Sequence, residues 1–464
     1  MSPVTNRTEE LPENPCPRAR AREATADTQE SPLSRIITTA LPAHGHVSPL
    51  LAISADLAAR GHEVVLLGGS RFAEAVERAG VRFAALPAEA DFDDRDLDAS
   101  FPGRAKLAPG PERIAFDVRH VFLDPVPHQY RALLALLAEF PADAVIADAF
   151  VQGALPLALA RPRAERPALI GVGITPSMLP SADTAPFGLA LPPLPGEAGR
   201  ARNRSLQEEM DRCGAPLQEY AERVFAETGV RLPAGPRGLV QVTVPDVFLQ
   251  LTVPGFEYPR GDAPASYRMI GALPGNVGEE QPLPEWWDEV TGERPVVVVT
   301  QGTLANGDLG ELVVPTVRAL ADRDVLVVAA TARPDGPQVL AGLLGGRLPD
   351  NVRAVGYLPF DRLLPHTDVL VSNGGYGGVQ TALRYGVPLV VAGASEDKPE
   401  VAARVQWVGV GLDLRTARPE PDVVGRAVEQ VLAEGRFRER ARTLGAEFAE
   451  YRPFDTIAEL VGSL

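Results

Sequence analysis

Short apolar runs recur along this chain, each separated from the next by enough residues for one helix, and that alternation decides the fold class. Residues 36–40 (IITTA) read as a buried strand and residues 42–49 (PAHGHVSP) as a loop. Residues 50–60 read as an amphipathic helix stopped by Gly61, and residues 63–67 (EVVLL) as the next strand. A strand–helix–strand unit of this kind implies a parallel sheet. Further runs stand at 144–147 and 168–172. A second alternation starts at 295–300 (PVVVVT) and continues through 324–328, 352–355, 369–371 and 389–392. Residues 421–464 are mostly helical in pattern. At 464 residues the chain exceeds one ordinary core. The expectation is an α/β protein with two Rossmann-like halves in tandem, a cleft between them, and C-terminal helices.

The expected boundaries follow from composition. Residues 1–34 are polar and aperiodic, a disordered extension. Residues 35–272 form the first half, 273–294 a Pro- and Gly-containing linker, and 295–445 the second half. Residues 446–464 are a C-terminal helix expected to pack back on the first half. Residues 88–112 and 180–200, rich in Pro, Gly and Asp, read as loops or short helices at the strand ends, where ligand sites are shaped.

Charge narrows the partners. Lys and Arg number 45 against 61 Asp and Glu, a net charge of -16, which argues against nucleic acid or an anionic membrane as partner. No apolar run approaches the ~20 residues of a membrane span, and no signal-like apolar core opens the chain. Two cysteines, Cys16 and Cys213, make no disulfide framework, so a cytoplasmic location is expected. Neither half has a Gly-x-Gly-x-x-Gly pattern after its first strand, which weighs against a nicotinamide or flavin cofactor. The run Asp91-Phe92-Asp93-Asp94-Arg95-Asp96-Leu97-Asp98 has spaced carboxylates, but lacks the glycine and final glutamate of a calcium loop. It reads as a solvated face.

The segment 372–380 (SNGGYGGVQ) places Gly374, Gly375, Gly377 and Gly378 where a strand turns into a helix. Exposed backbone N–H groups and the helix dipole suit a phosphate or pyrophosphate there. Asp397 and Lys398 follow the next strand and could meet hydroxyls of whatever the phosphate carries.

With residues 44–49 (HGHVSP), 61–64 (GHEV) and the 301–303 turn (QGT), this segment resembles the nucleotide-sugar glycosyltransferases of GT-B fold that modify antibiotics and other small natural products. The resemblance runs over most of residues 35–460. It implies His46, three residues before Pro49, as the base that takes a proton from the acceptor hydroxyl, with His44 the nearby competitor. It implies Asp148, at the end of the 144–147 strand, as the carboxylate supporting that imidazole, where a helix cap is the plainer alternative. Thr303 falls where the family places a phosphate-binding hydroxyl. Tyr357 falls where the family commonly stacks Trp on the nucleobase, although an aromatic beside a buried strand is often core. Asn373 replaces the family's usual His. Its amide can still donate to a phosphate but brings no charge. Gly378 and Val379 replace a frequent Ser or Thr, and Thr381 stands in for a ribose-binding Glu. Lys398 follows Asp397 where the family has Gln, and could meet a sugar hydroxyl, a phosphate, Glu396 or Glu400.

The expected activity is inverting transfer of a hexose from a UDP- or dTDP-sugar to a hydroxyl of a small lipophilic acceptor, by a metal-independent monomer or homodimer. The nucleotide sugar is a co-substrate and no cofactor is implied. The alternatives are an epimerase or hydrolase of sugar nucleotides on the same plan, or a non-catalytic partner of another transferase.

Overall fold

A computed structural model describes residues 33–108, 110–233, 242–274, 282–302 and 306–464. Most of the expected N-terminal extension, and Thr303, lie outside the described residues.

Two parallel sheets carry the fold. The first holds β1 (Arg35–Thr39), β2 (Glu63–Gly68), β3 (Arg82–Ala85), β4 (Ala144–Asp148), β5 (Ala168–Gly173), β6 (Val247–Gln250) and β7 (Tyr267–Met269). Its order is β3-β2-β1-β4-β5-β6-β7. The second holds β8 (Val296–Thr300), β9 (Leu326–Ala330), β10 (Val352–Val355), β11 (Val369–Ser372), β12 (Leu389–Val391) and β13 (Gly411–Asp413), in the order β10-β9-β8-β11-β12-β13. The near-continuous Val, Ile and Leu of β1, β4, β8 and β11 are buried because helices cover both sheet faces. Fully burying each such side chain stabilises by about 1.5–3 kcal/mol.

Each sheet reverses its strand order once, between β1 and β4 and between β8 and β11. In register, Thr39 lies beside Ala147, and Ser372 beside Thr300. In open α/β sheets ligands bind beyond the carboxyl ends of the strands at such reversals. Both reversal points carry candidate residues: His46 and Asp148 in the first sheet, Gly302 and the glycine segment in the second.

The halves are packed together. Val253, Phe256 and Ala272 from the first half join the apolar cluster of Tyr376, Val379, Leu383, Val401 and Val405. The last helix, Pro453–Gly462, returns to the first sheet, where Ile457 and Val461 pack among Val47, Leu50 and Leu57. Among the described residues no helix is long and apolar enough to cross a membrane.

Several expectations change. Residues 44–49 are not a loop: the first helix begins at His44 and runs to Ala59 with Pro49 inside it. Proline removes the bond to the carbonyl four residues back, here that of Gly45, and Gly45 is exposed, so water can satisfy it. The helix after the glycines starts at Tyr376 rather than Val379. The 324–328 strand lies two residues later, at Leu326–Ala330. The loop read at 180–200 ends at a 31-residue helix, Gly196–Ala226.

Candidate active site

His46 projects from the first turn of its helix, immediately beyond β1. Its Nδ1 lies 2.7 Å from Oδ2 of Asp148, the last residue of the neighbouring β4. Asp148 is 1% exposed. Its Oδ2 also accepts from the Leu41 N–H and its Oδ1 from the Phe150 N–H, each at 3.2 Å. Both oxygens thus already accept from backbone donors, so Nδ1 carries the proton and donates to Oδ2. That leaves Nε2 as the basic lone pair. The Phe150 ring meets the imidazole edge-on at 5.1 Å. Burial, the largest single influence, pulls the His46 pKa down. The charge and hydrogen bond of Asp148, with the charges of Asp397 and Glu396, outweigh it and leave the pKa raised. Asp397 and Glu396 belong to the second half, so the ring faces across the cleft. His44 is different: burial and then Arg71 lower its pKa, and Asp148 does not hold it.

Beside this dyad, Leu41, Val121, Phe150, Val151 and Leu179 form a buried apolar cluster. Phe92, Phe101, Phe122 and Met178 are packed against it and only partly buried. Phe92 and Phe101 come from the 88–112 segment expected to shape a ligand site, and Phe122 from a helical turn beyond it.

On the second sheet the turns after β8 and β11 are neighbours. Gly302 (φ 70°) and Gly374 (φ 86°) adopt left-handed backbone, and a Cβ on Gly374 would lie 2.6 Å from Val391 Cγ1. The Asn373 side-chain amide donates to the Gln301 carbonyl and ties the two turns together. One of its two amide hydrogens is therefore spent inside the protein rather than on a phosphate. Helix Tyr376–Arg384 opens with its N-terminus free of any side-chain cap. Gly377 and Gly378 are exposed there, and a Cβ on either would meet open space. Their N–H groups have no carbonyl within the helix to bind, so they can donate to an anion's oxygens. Tyr376 is not part of this surface: it is buried in the core.

Tyr357 is 54% exposed, so its ring face is open rather than core. Asp397 follows β12 and is half-buried against its neighbours. Burial pushes its carboxyl up to about 6, with Lys398 pulling down and Glu396 pushing up. Lys398 is buried, and its ammonium pairs with Glu396, not with Glu400. Glu396 itself holds a left-handed backbone (φ 57°), strain of the kind that clusters at functional sites. The Thr381 hydroxyl donates to the Gly377 carbonyl at 2.8 Å.

A family model described as "Erythromycin biosynthesis protein CIII-like, C-terminal domain" matches residues 317–462. The chain is 40% identical over 436 residues to UDP-glycosyltransferase 2 of Phaeomoniella chlamydospora, covering 92% of this chain and 95% of that one. The chain belongs to the UDP-glycosyltransferase family. It is also 41% identical over 421 residues to 4'-demethylrebeccamycin synthase of Lentzea aerocolonigenes, covering 90% of this chain and 96% of that one. Among solved structures, the glycotransferase of kitacinnamycin superposes with a TM-score of 0.69 at 23% identity, over 92% of this chain and 98% of its own. A calicheamicin glycosyltransferase does so with a TM-score of 0.68 at 22% identity, over 93% and 98%. The fold of this glycosyltransferase is therefore GT-B.

Two features of the glycosyltransferase were missed or misread in its sequence. One is a buried clamp between the halves. Arg404 donates to Glu257 Oε1 at 2.6 and 2.8 Å and to Glu400 Oε2 at 2.8 Å. Glu400 Oε1 accepts from the Gly188 and Ala190 N–H groups, each at 2.8 Å. Glu400 thus fastens the 180–195 loop rather than Lys398. The partners stand 147 and over 200 positions apart, and no periodicity could link them. The other is the acidic run, whose aspartates are each engaged by protein groups. Among the described residues no group of three or more His, Cys, Asp or Glu side chains could hold a metal ion. An open groove of about 590 Å³ lies away from the dyad, lined by Asp183, Leu194, Arg200 and Trp407. Its Arg200 and Asp183 are paired with each other at 3.0 Å.

Proposed function

We propose that this enzyme transfers a hexose from a nucleoside diphosphate sugar to a hydroxyl of a small lipophilic acceptor, with inversion at the anomeric carbon. The single observation that carries the reading is the His46–Asp148 dyad at one sheet reversal, with the bare glycine helix N-terminus at the other. The names of UDP-glycosyltransferase 2, at 40% identity, and of UDP-glucosyltransferase avaP, at 35%, support uridine as the donor base.

The acceptor lies against Phe92, Phe101, Phe122 and Phe150. His46 Nε2 takes the hydroxyl proton as the oxygen attacks C1 of the sugar. The bond from C1 to the diphosphate oxygen breaks on the opposite face, and the electron pair leaves with the diphosphate. The proton ends on the imidazole, and Asp148 stabilises the imidazolium. The N–H groups of Gly377 and Gly378 and the helix dipole stabilise the charge on the leaving diphosphate. Tyr357 supplies a face for the base, and Asp397 a carboxyl for sugar hydroxyls. Thr303 keeps its proposed role at the phosphate from its place in the sequence alone. The nucleotide sugar is consumed as co-substrate, and the chemistry calls on no other group.

The test is His46→Ala, assayed with UDP-glucose and a panel of hydroxylated aromatic compounds. The expected loss in kcat is about 10²–10⁴-fold with donor affinity retained. Transfer at the wild-type rate refutes the base. Donor consumption that is independent of any acceptor favours a hydrolase or epimerase instead.

A further inference from the structure

The acidic run 91–98 is a folded device. Asp91 accepts from the Ser70 N–H at 3.0 Å, Asp96 caps Ala99 at 2.9 Å, and Asp98 holds Arg104 at 2.6 Å and Arg113 at 3.2 Å. Asp94 stands apart because it is buried and reaches the helix that carries His46. Its side chain is 2% exposed and its Oδ2 accepts from the His44 N–H at 2.7 Å. Arg71 pairs with its other oxygen.

His44 is the first residue of the helix that carries His46, and Ala43 at its N-cap has no side chain able to cap. A first-turn N–H left without a partner weakens the start of a helix. Asp94 supplies that cap from 50 positions away in the chain, and its charge suits the positive end of the helix dipole. Two residues before it, Phe92 packs on the apolar cluster beside the dyad, with its ring 5.5 Å from that of Phe101. One short segment therefore touches the proposed acceptor pocket with Phe92 and the base's helix with Asp94.

We infer that Asp94 is a positioning residue that couples seating of the acceptor to the aim of His46. The inference rests on the reading of His46 as the base. An acceptor settled against Phe92 and Phe101 holds the segment in place. The segment holds the His44 N–H, and the first turn presents Nε2 to the hydroxyl. A misplacement of about 1 Å at a reacting group costs up to about 10²-fold in rate.

The experiment compares Asp94→Ala, Asp94→Asn, Arg71→Gln and His46→Ala in the full chain. Each is assayed with UDP-glucose and the best acceptor of the hydroxylated aromatic panel, and UDP binding by calorimetry counts the folded sites. Asp94→Ala is expected to lower kcat about 10- to 100-fold and raise the acceptor KM, with donor KM and UDP affinity unchanged. Asp94→Asn keeps an oxygen for the His44 N–H and is expected to restore kcat to within about 3-fold of wild type. A variant that merely misfolds would lose UDP sites and would not move the acceptor KM alone. If Asp94→Asn is as impaired as Asp94→Ala and Arg71→Gln matches both, the ion pair matters and the cap does not, which overturns the inference. An inactive His46→Ala beside an unaltered Asp94→Ala overturns only the coupling. An active His46→Ala overturns the base reading and this inference with it.

Discussion

Replacing Asp148 by Asn tests the dyad most directly, because it changes charge and leaves shape nearly intact. The carboxylate lies 2.7 Å from His46 Nδ1. A hydrogen bond to a charged group contributes about 1.5–3 kcal/mol. At about 1.36 kcal/mol per decade, losing that stabilisation from the imidazolium formed in transfer costs roughly 10- to 150-fold. A second loss adds to it. The Asn oxygen can accept from only one side of the site, while Leu41 N–H, Phe150 N–H and His46 Nδ1–H all require an acceptor. If the Asn amide turns its NH₂ to the ring, the ring proton moves to Nε2, which then cannot act as a base. The combined expectation is a kcat lower by about 10²–10⁴-fold, the range of a positioned base. The pKa gives an independent sign. Burial lowers the His46 pKa and Asp148 is the main group that raises it. Asp148→Asn must therefore lower it, because the charge and the hydrogen bond that raise it are both lost.

Two measurements separate these effects. Release of nucleoside diphosphate from pH 5 to 9, at about saturating donor, gives kcat and the acid limb, since His46 must be neutral to accept a proton. NMR of isotope-labelled histidine gives the His46 titration itself, with only six histidines to assign. In the wild type the acid limb lies above the ordinary imidazole range, and in the variant it falls. A variant that keeps kcat within about 3-fold of wild type, or whose His46 titrates at the same or higher pH, refutes the dyad.

Two further substitutions address the donor side and the clamp. Gly377→Asp puts a carboxylate at an exposed position where a Cβ meets open space. An acidic residue in the first turn favours the helix, so the melting temperature should hold or rise while donor KM climbs at least about 10-fold. Equal donor KM in variant and wild type would remove the diphosphate from that helix start. Arg404→Met leaves Glu257 and Glu400 without their shared cation and should cost about 3–5 kcal/mol in chemical denaturation. Burial pushes the Glu257 carboxyl up, but Arg404 and Arg260 outweigh it and hold it below its usual range. That stability is present above the unfolded carboxylate pKa and is lost as pH falls through the folded value. The gap between Arg404→Met and wild type should therefore narrow in acid, and a gap constant with pH contradicts the clamp.

What the sequence disclosed depended on how local the cause was. His46 and Asp148 were singled out by the family resemblance, and apolar runs located the strand ends whose parallel neighbours bring them together. The glycine segment was readable because a strand-to-helix turn leaves N–H groups bare. The helical start at His44 was hidden: Pro49 and Gly45 are punctuation in any local reading, and the cap that permits the helix lies at Asp94. The acidic run was visible as composition, but its partners Ser70, His44 and Arg71 come from other elements. Lys398 and Glu400 were visible as charges, yet their actual partners depend on how the halves meet.

The departures from the usual donor pattern are satisfied within the protein. Asn373 is committed to the Gln301 carbonyl, Lys398 to Glu396, and the Thr381 hydroxyl to the Gly377 carbonyl. Among the described residues, the pair of glycine N–H groups, the second Asn373 amide hydrogen, the Tyr357 face and Asp397 remain open toward a donor. The Glu396–Lys398 pair is neutral in sum, so Asp397 sets the local charge, and its carboxyl, pushed up by burial to about 6, ionises near neutrality. The coupling with His46 is reciprocal: the Asp397 charge raises the His46 pKa, and a charged His46 lowers that of Asp397. In the proposed reaction the imidazolium forms while Asp397 is ionised, so the donor half stabilises the charge that the acceptor half acquires. Two residues from separate sheets then act on one proton transfer, and the closeness of the halves becomes part of the chemistry.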